Sequence, residues 1–185
     1  MIPPVHTERA MVFIDGENLV FRYQDMAQGR KINTNSKHHR DAYIWHQHLS
    51  GEIPARVLRV GYYTSVVGDD PHVVSIRTEL AGIEAPRSRM SSIQICPFVF
   101  KRSSKSKKNK IVDVNLTIDV LRHTYQNDLD IVCLMSGDGD YLPLIKEVMR
   151  QGKQVYVFAF SSGLADELKH TADRFQLLDH WFFEI

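Results

Sequence analysis

Cysteine is scarce in this chain: Cys96 and Cys133 are the only two in 185 residues. Each sits inside an apolar run and they lack CxxC spacing. Neither a disulfide framework nor a zinc site is expected, and both read as buried thiols in strands. Long apolar runs are also missing. None approaches the ~18 residues needed to cross a bilayer, so no membrane partner is expected. The opening residues, MIPPVHTERA, have no apolar stretch of the secretory kind, so the expected location is a reducing cytoplasm. Charge of one sign is lacking as well. The formal net charge is +1, so any affinity for nucleic acid has to come from local clustering. Repeats and clear linkers do not occur. One domain over 1–185 is expected, with its core in 11–178.

What is present is a series of short apolar runs separated by helical patterns. Strands are predicted at 11–14 (MVFI), 56–63, 93–100, 131–135, 154–160 and 175–178. Pro97 argues that the third lies at an edge. Leu19, Val20, Tyr23 and Met26 give a helix that starts near Glu17 and stops at Gly29. Further helices are predicted at 42–49, with Tyr43, Ile44 and Trp45 inward, and from an Asp70 cap followed by Pro71 to Gly82. Others are expected at 112–125, at 141–150, and from a Ser161 or Ser162 cap to about Ala172. Residues 30–41 read as a polar surface insertion. Uniformly apolar strands alternating with helices imply an α/β fold: a three-layer, open, mostly parallel sheet of five or six strands with helices on both faces.

The organising stretch is Ile131 to Tyr141, IVCLMSGDGDY. Five apolar residues run straight into a glycine-rich turn carrying Asp138 and Asp140. Two like charges about 4 Å apart repel by roughly 4 kcal/mol at an effective dielectric of ~20, so a cation is expected nearby. Ligand crevices in open parallel sheets lie beyond the carboxyl ends of the strands, where the strand order reverses. Asp15 ends the first strand. If that strand neighbours the fourth, Asp15 meets Asp138 and Asp140 there, and Asp113 enters from the start of the preceding helix. Four acids in one crevice are costly to ionise without a metal. Oxygen-only ligands point to Mg²⁺ or Mn²⁺, which can activate water and stabilise a phosphodiester transition state. The plainer reading makes Asp15, Asp138 and Asp140 turn residues and caps. Asn18 and Ser136, small polar groups beside them, weigh against it. Asp119 is about 600° of helical rotation from Asp113 and points elsewhere.

Residues 101–110, KRSSKSKKNK, hold six cations in ten and no apolar residue. Lys101, Arg102, Lys105, Lys107, Lys108 and Lys110 form a solvated loop that can also serve as a phosphate-contacting arm. Arg22 or Lys37 would add to it. Tyr62, Tyr63 and above all Tyr141 are candidates to stack bases, with core packing as the alternative. The spacing of His38, His39, His46 and His48 does not put metal ligands on one helical face.

Three motifs in order carry a family resemblance: FIDGENL at Phe13 to Leu19, Lys110-Ile111-Val112-Asp113, and SGDGDY at Ser136 to Tyr141. Together they resemble the NYN domain, and more narrowly its LabA-like bacterial branch within the PIN-like nuclease fold. The likeness runs from Met11 to about Leu178 and includes Ala172-Asp173. It implies a metal-dependent ribonuclease whose catalytic and metal-binding acids are Asp15, Asp113, Asp138 and Asp140, supported by Asn18 and Ser136. The insertion and the basic loop are longer than a minimal domain of this type needs.

RNA is then the expected partner, and a homodimer is compatible with the sequence. The alternative is a catalytically silent regulator that binds nucleic acid or protein. A haloacid-dehalogenase-like phosphatase would need a second Asp two residues after Asp15, where Glu17 stands, and Thr or Val where Leu19 stands.

Overall fold

A computed structural model of the chain describes residues 7–88, 91–103 and 110–184. The first apolar run is β1 (Arg9–Asp15), and it passes without a loop into α1 (Gly16–Ala27). Glycine opens this helix because there is no room for a side chain. A Cβ on Gly16 would stand 2.3 Å from the Tyr62 ring and 2.9 Å from the Tyr63 carbonyl. Next come β2 (Lys37–His39), β3 (Tyr43–Trp45), the short α2 (His48–Gly51) and the long β4 (Arg56–Val67). The chain continues through α3 (Asp70–Ala81), β5 (Glu84–Ser88), β6 (Ser91–Gln94) and β7 (Cys96–Arg102). The second half holds α4 (Lys110–Tyr125), β8 (Ile131–Met135), a 3-10 turn at Gly139–Tyr141 and α5 (Leu142–Arg150). It ends with β9 (Gln154–Ala159), α6 (Asp166–Thr171), β10 (Arg174–Leu177) and α7 (Asp179–Phe182).

Six strands form the central sheet in the order β10-β9-β8-β1-β4-β7, every neighbouring pair parallel. The order reverses between β1 and β8, so the first strand and the strand before SGDGDY are indeed neighbours. Helices cover both faces, as buried parallel strands require. Ala10, Val12 and Ile14 of β1 face a core shared with α1, α3 and α7. The alternate residues Met11 and Phe13 face a second core built with α4, α5 and α6. Pro97 lies in β7, an outer strand of the sheet, as expected.

The structure corrects several local expectations. The helix predicted at 42–49 is mostly absent: 43–45 is strand β3, paired antiparallel with β2 inside the supposed polar insertion. Tyr43, Ile44 and Trp45 are all buried, which three successive residues on one helix face cannot achieve. The Tyr62 hydroxyl bonds both the N–H and the carbonyl of Ile44 at 3.0 Å, and the Thr64 hydroxyl donates to the Ala42 carbonyl at 2.7 Å. Side chains of β4 thus take the backbone groups a helix would have used internally. The run at 93–100 is divided between a β5–β6 hairpin and β7. The cap of α3 is Asp69, which accepts from the His72 N–H at 3.0 Å, rather than Asp70. Neither Ser161 nor Ser162 caps α6. Ser161 donates to Asp179 and Ser162 to Asp25, and the helix starts only at Asp166.

At the amino ends of the central strands, Asp130 accepts from the Arg9 backbone N–H at 2.8 Å and from its guanidinium at 3.0 and 3.1 Å. These bonds, led by the side-chain one, hold the Asp130 carboxyl down at about 2. A depressed carboxylate pKa stabilises the fold above the ordinary carboxylate range and stops doing so as pH falls through the folded value. Urea titrations of wild type and Asp130→Asn should therefore differ by a constant amount above about pH 5 and converge toward pH 2. A gap that persists to the lowest pH would show that the ion pair is not its cause.

Candidate functional site

Asp15 is fully buried at the carboxyl end of β1 and caps α1. Its Oδ1 accepts from the Asn18 N–H at 3.1 Å. A carboxylate here satisfies one of the unpaired N–H groups of the first turn and meets the positive end of the helix dipole. Ser136, buried just after β8, donates from its hydroxyl to Asp15 Oδ2 at 3.0 Å. The same hydroxyl oxygen accepts from the Asp138 N–H at 3.2 Å, and the Gly137 N–H donates to Asn18 Oδ1 at 3.2 Å. Asn18 and Ser136 therefore lace the two strand ends together across the point of reversal.

Asp138 caps the 3-10 turn, its Oδ1 accepting from the Asp140 N–H at 3.0 Å. Asp15 and Asp138 are thus both N-caps, where the plainer reading makes Asp15 only a turn former, and the Ser136 hydroxyl bonds both. Tyr141 connects Asp113 to this end of the sheet. Its hydroxyl donates to Asp113 Oδ1 at 3.2 Å. Its pKa is pushed far up, first by burial, then by the negative charges of Asp15, Asp113 and Asp138. Asp113 accepts the bond and the other two acids act through their charge, so the buried phenol stays protonated as a donor. Asp140 differs: it is exposed, and its recorded bond to the group is its backbone N–H.

The predicted nucleic-acid contacts divide. Tyr62, Tyr63 and Tyr141 are 0%, 2% and 3% exposed, so none can offer a ring face to a base. For Tyr141 the signal was available: with Ile145 and Val148 it continues the buried face of α5. Tyr63 instead donates to Asp119 at 2.9 Å, which confirms that Asp119 is a hydrogen-bonded residue apart from Asp113. Lys101 and Arg102 end β7, where Lys101 pairs with Asp70 at 2.9 Å. Lys110 is exposed at the start of α4, one turn before Asp113. Lys105, Lys107 and Lys108 fall outside the described residues. Arg22 packs against Gly163, whose positive φ of 68° and want of a side chain make room for the guanidinium. Lys37 is exposed on β2. His46 is buried against His48 and Trp181, and His39 pairs with Glu79. Glu17 escaped the sequence reading: it is buried and accepts a hydrogen bond from the Ser65 hydroxyl.

The NYN domain model matches residues 9–179. The chain belongs to the NYN domain family. That family is one of PIN-like nucleases, typically metal-dependent ones, and it suggests interaction with RNA. This NYN chain is also 29% identical over 62 residues to an uncharacterized protein of Methanocaldococcus jannaschii, a match spanning 34% of the chain and 26% of that relative's length. The crystal structure of a protein of unknown function from Vibrio parahaemolyticus aligns over 99% of the chain and 100% of its own, with a TM-score of 0.65. At 20% identity that likeness speaks for the fold. Among the described residues, no helix is long and apolar enough to cross a membrane.

For the NYN site, the donor set can be judged by its chemistry. It is made of carboxylates and hydroxyls, hard oxygen donors that suit Mg²⁺ or Mn²⁺. Among the described residues, no group of three or more His, Cys, Asp or Glu is arranged to hold a metal ion. Mg²⁺ does not need such a cage: one or two carboxylates with water and substrate phosphate suffice. The donors therefore fit a cation held partly by solvent and substrate.

The lacing makes a stability claim of its own. Ser136→Ala removes a donor from buried Asp15 and an acceptor from the Asp138 N–H, and should cost about 1–3 kcal/mol. Chemical denaturation checks this, and an unchanged midpoint would contradict the bridging role of the hydroxyl.

Proposed function

We propose that this NYN domain is a metal-dependent ribonuclease whose centre is formed by Asp15, Asp113 and Asp138. The observation that supports this reading is that the Tyr141 hydroxyl donates to Asp113 while the charges of Asp15 and Asp138 also raise its pKa, at the point where the sheet order reverses. Asp15 and Asp138 would hold Mg²⁺ or Mn²⁺, with Asp113 completing the site or orienting water. When bound, the ion would supply a water nucleophile near neutral pH and a counter-charge for the phosphoryl oxygens.

The chain's own groups have separable tasks. The Asn18 N–H and the Ser136 hydroxyl fix the two oxygens of Asp15, so its carboxylate is oriented before any substrate arrives. Tyr141 fixes Asp113 in the same way from the other face of the sheet. Asp140, exposed beside Asp138, is placed to take part through water rather than by direct packing. Lys110 and the basic residues ahead of it would meet the phosphate backbone, which is negative wherever the strand runs. The order and content of the three motifs further support placement in the LabA-like branch.

A silent RNA-binding regulator is the second reading, favoured by the lack of a preformed three-ligand group among the described residues. Cleavage decides between them. Purified wild type with single-stranded RNA and Mn²⁺ should cut the strand, and Asp138→Asn should lower the rate by at least about a hundredfold, in line with lost charge stabilisation at a reacting centre. Equal cleavage by both proteins would reject the assignment.

A further inference from the structure

A cavity of about 480 Å³ opens at the same end of the sheet as the acids, on the far flank of α1. Glu17 ties it to the centre, standing two residues after Asp15. Ser65, which bonds Glu17, stands two residues after Tyr63, the β4 partner of Asp15. Val20, Phe21, Val66 and Val67 give the cavity apolar walls, and Arg40 and Arg102 line it with positive charge. Its outer wall is fixed to α1: Gln24 donates to the Asp41 carboxylate and accepts the Asp41 N–H, both at 2.8 Å.

Phe21 is 57% exposed. The Arg22 guanidinium carbon lies 5.4 Å from its ring centroid, a cation–π contact that steadies the ring. Tyr125, also largely exposed, ends α4 at the opposite end of the molecule. Of these two aromatics, Phe21 alone stands beside the crevice. Carboxylates decide what kind of group the cavity suits. A phosphate pushed inside would face Glu17 and Asp41. A nucleobase would present N–H donors to them and a π-face to Phe21, leaving its phosphates to the arginines at the mouth.

We propose that this cavity binds an unstacked base of single-stranded RNA, from a nucleotide flanking the phosphate that the acidic centre acts on. The proposal rests on the ribonuclease reading for the position of that phosphate, but base binding is measurable without cleavage. The pocket then orients the strand as a clamp beside the centre, and it favours single strands because drawing a paired base out of its stack costs free energy.

The test is fluorescence anisotropy with a short labelled single-stranded RNA and a fully paired duplex, in EDTA so that no cutting occurs. Phe21→Ala should weaken single-strand binding roughly tenfold or more, the loss expected for one stacked base. Phe21→Trp should retain it, and duplex binding should be the same for all three proteins. Because Phe21 is largely exposed, Phe21→Ala should fold, which its melting curve verifies; Arg40→Glu is a second variant expected to weaken the single strand. Single-strand affinity unchanged in both Phe21→Ala and Arg40→Glu would overturn the pocket, as would wild type that does not bind single-stranded RNA. Phe21-dependent binding by a protein that never cuts RNA with Mn²⁺ would sink the nuclease reading and leave the pocket standing.

Discussion

Burying a carboxylate where β1 meets β8 obliges the chain to surround it with donors, and much of the structure follows from that need. Asp15 has no exposure. A lone buried charge would be far too costly to keep. One oxygen is therefore turned to the start of α1 and the other to Ser136. The first bond needs α1 to begin at once, which in turn needs glycine at 16 against the Tyr62 ring. The second needs β8 beside β1, the reversal of strand order that the fold provides.

These donors hold the Asp15 carboxyl in place. The negative charges of Asp15, Asp113 and Asp138 all raise the Tyr141 pKa, and Asp113 accepts its hydrogen bond. Stability alone would favour fewer acids at this point. Arg9 meets Asp130 at the amino end of the sheet and Lys101 meets Asp70 on the surface, so these two pairs lie apart from Asp15. Repulsion among acids of this kind is relieved by a divalent cation, and phosphodiester hydrolysis makes use of the same cation.

Much of this was legible in the sequence because the signals were short-range and strong. Unbroken apolar runs gave the buried parallel strands, and Asp15, Asp113 and Asp138 each sit at an element boundary marked by a change of pattern. What escaped the sequence depends on contacts between distant residues. The segment 43–45 is a strand because Tyr62 and Thr64 take its backbone groups. Tyr141 turned out to be a buried hydroxyl donor rather than a base platform, and its spacing with Ile145 and Val148 already pointed that way. No local pattern marks Glu17 as buried, since its partner Ser65 arrives from β4.

The central claim is that Asp15, Asp113 and Asp138 belong to one centre that takes a divalent ion. Thermal melting of metal-free wild type and Asp138→Asn, each repeated with Mn²⁺, tests it most directly. The carboxamide keeps an acceptor for the Asp140 N–H while removing one charge. The account predicts that Mn²⁺ raises the melting temperature of the wild type and leaves Asp138→Asn unchanged. An equal Mn²⁺ shift in both proteins, or no shift in the wild type, would contradict it.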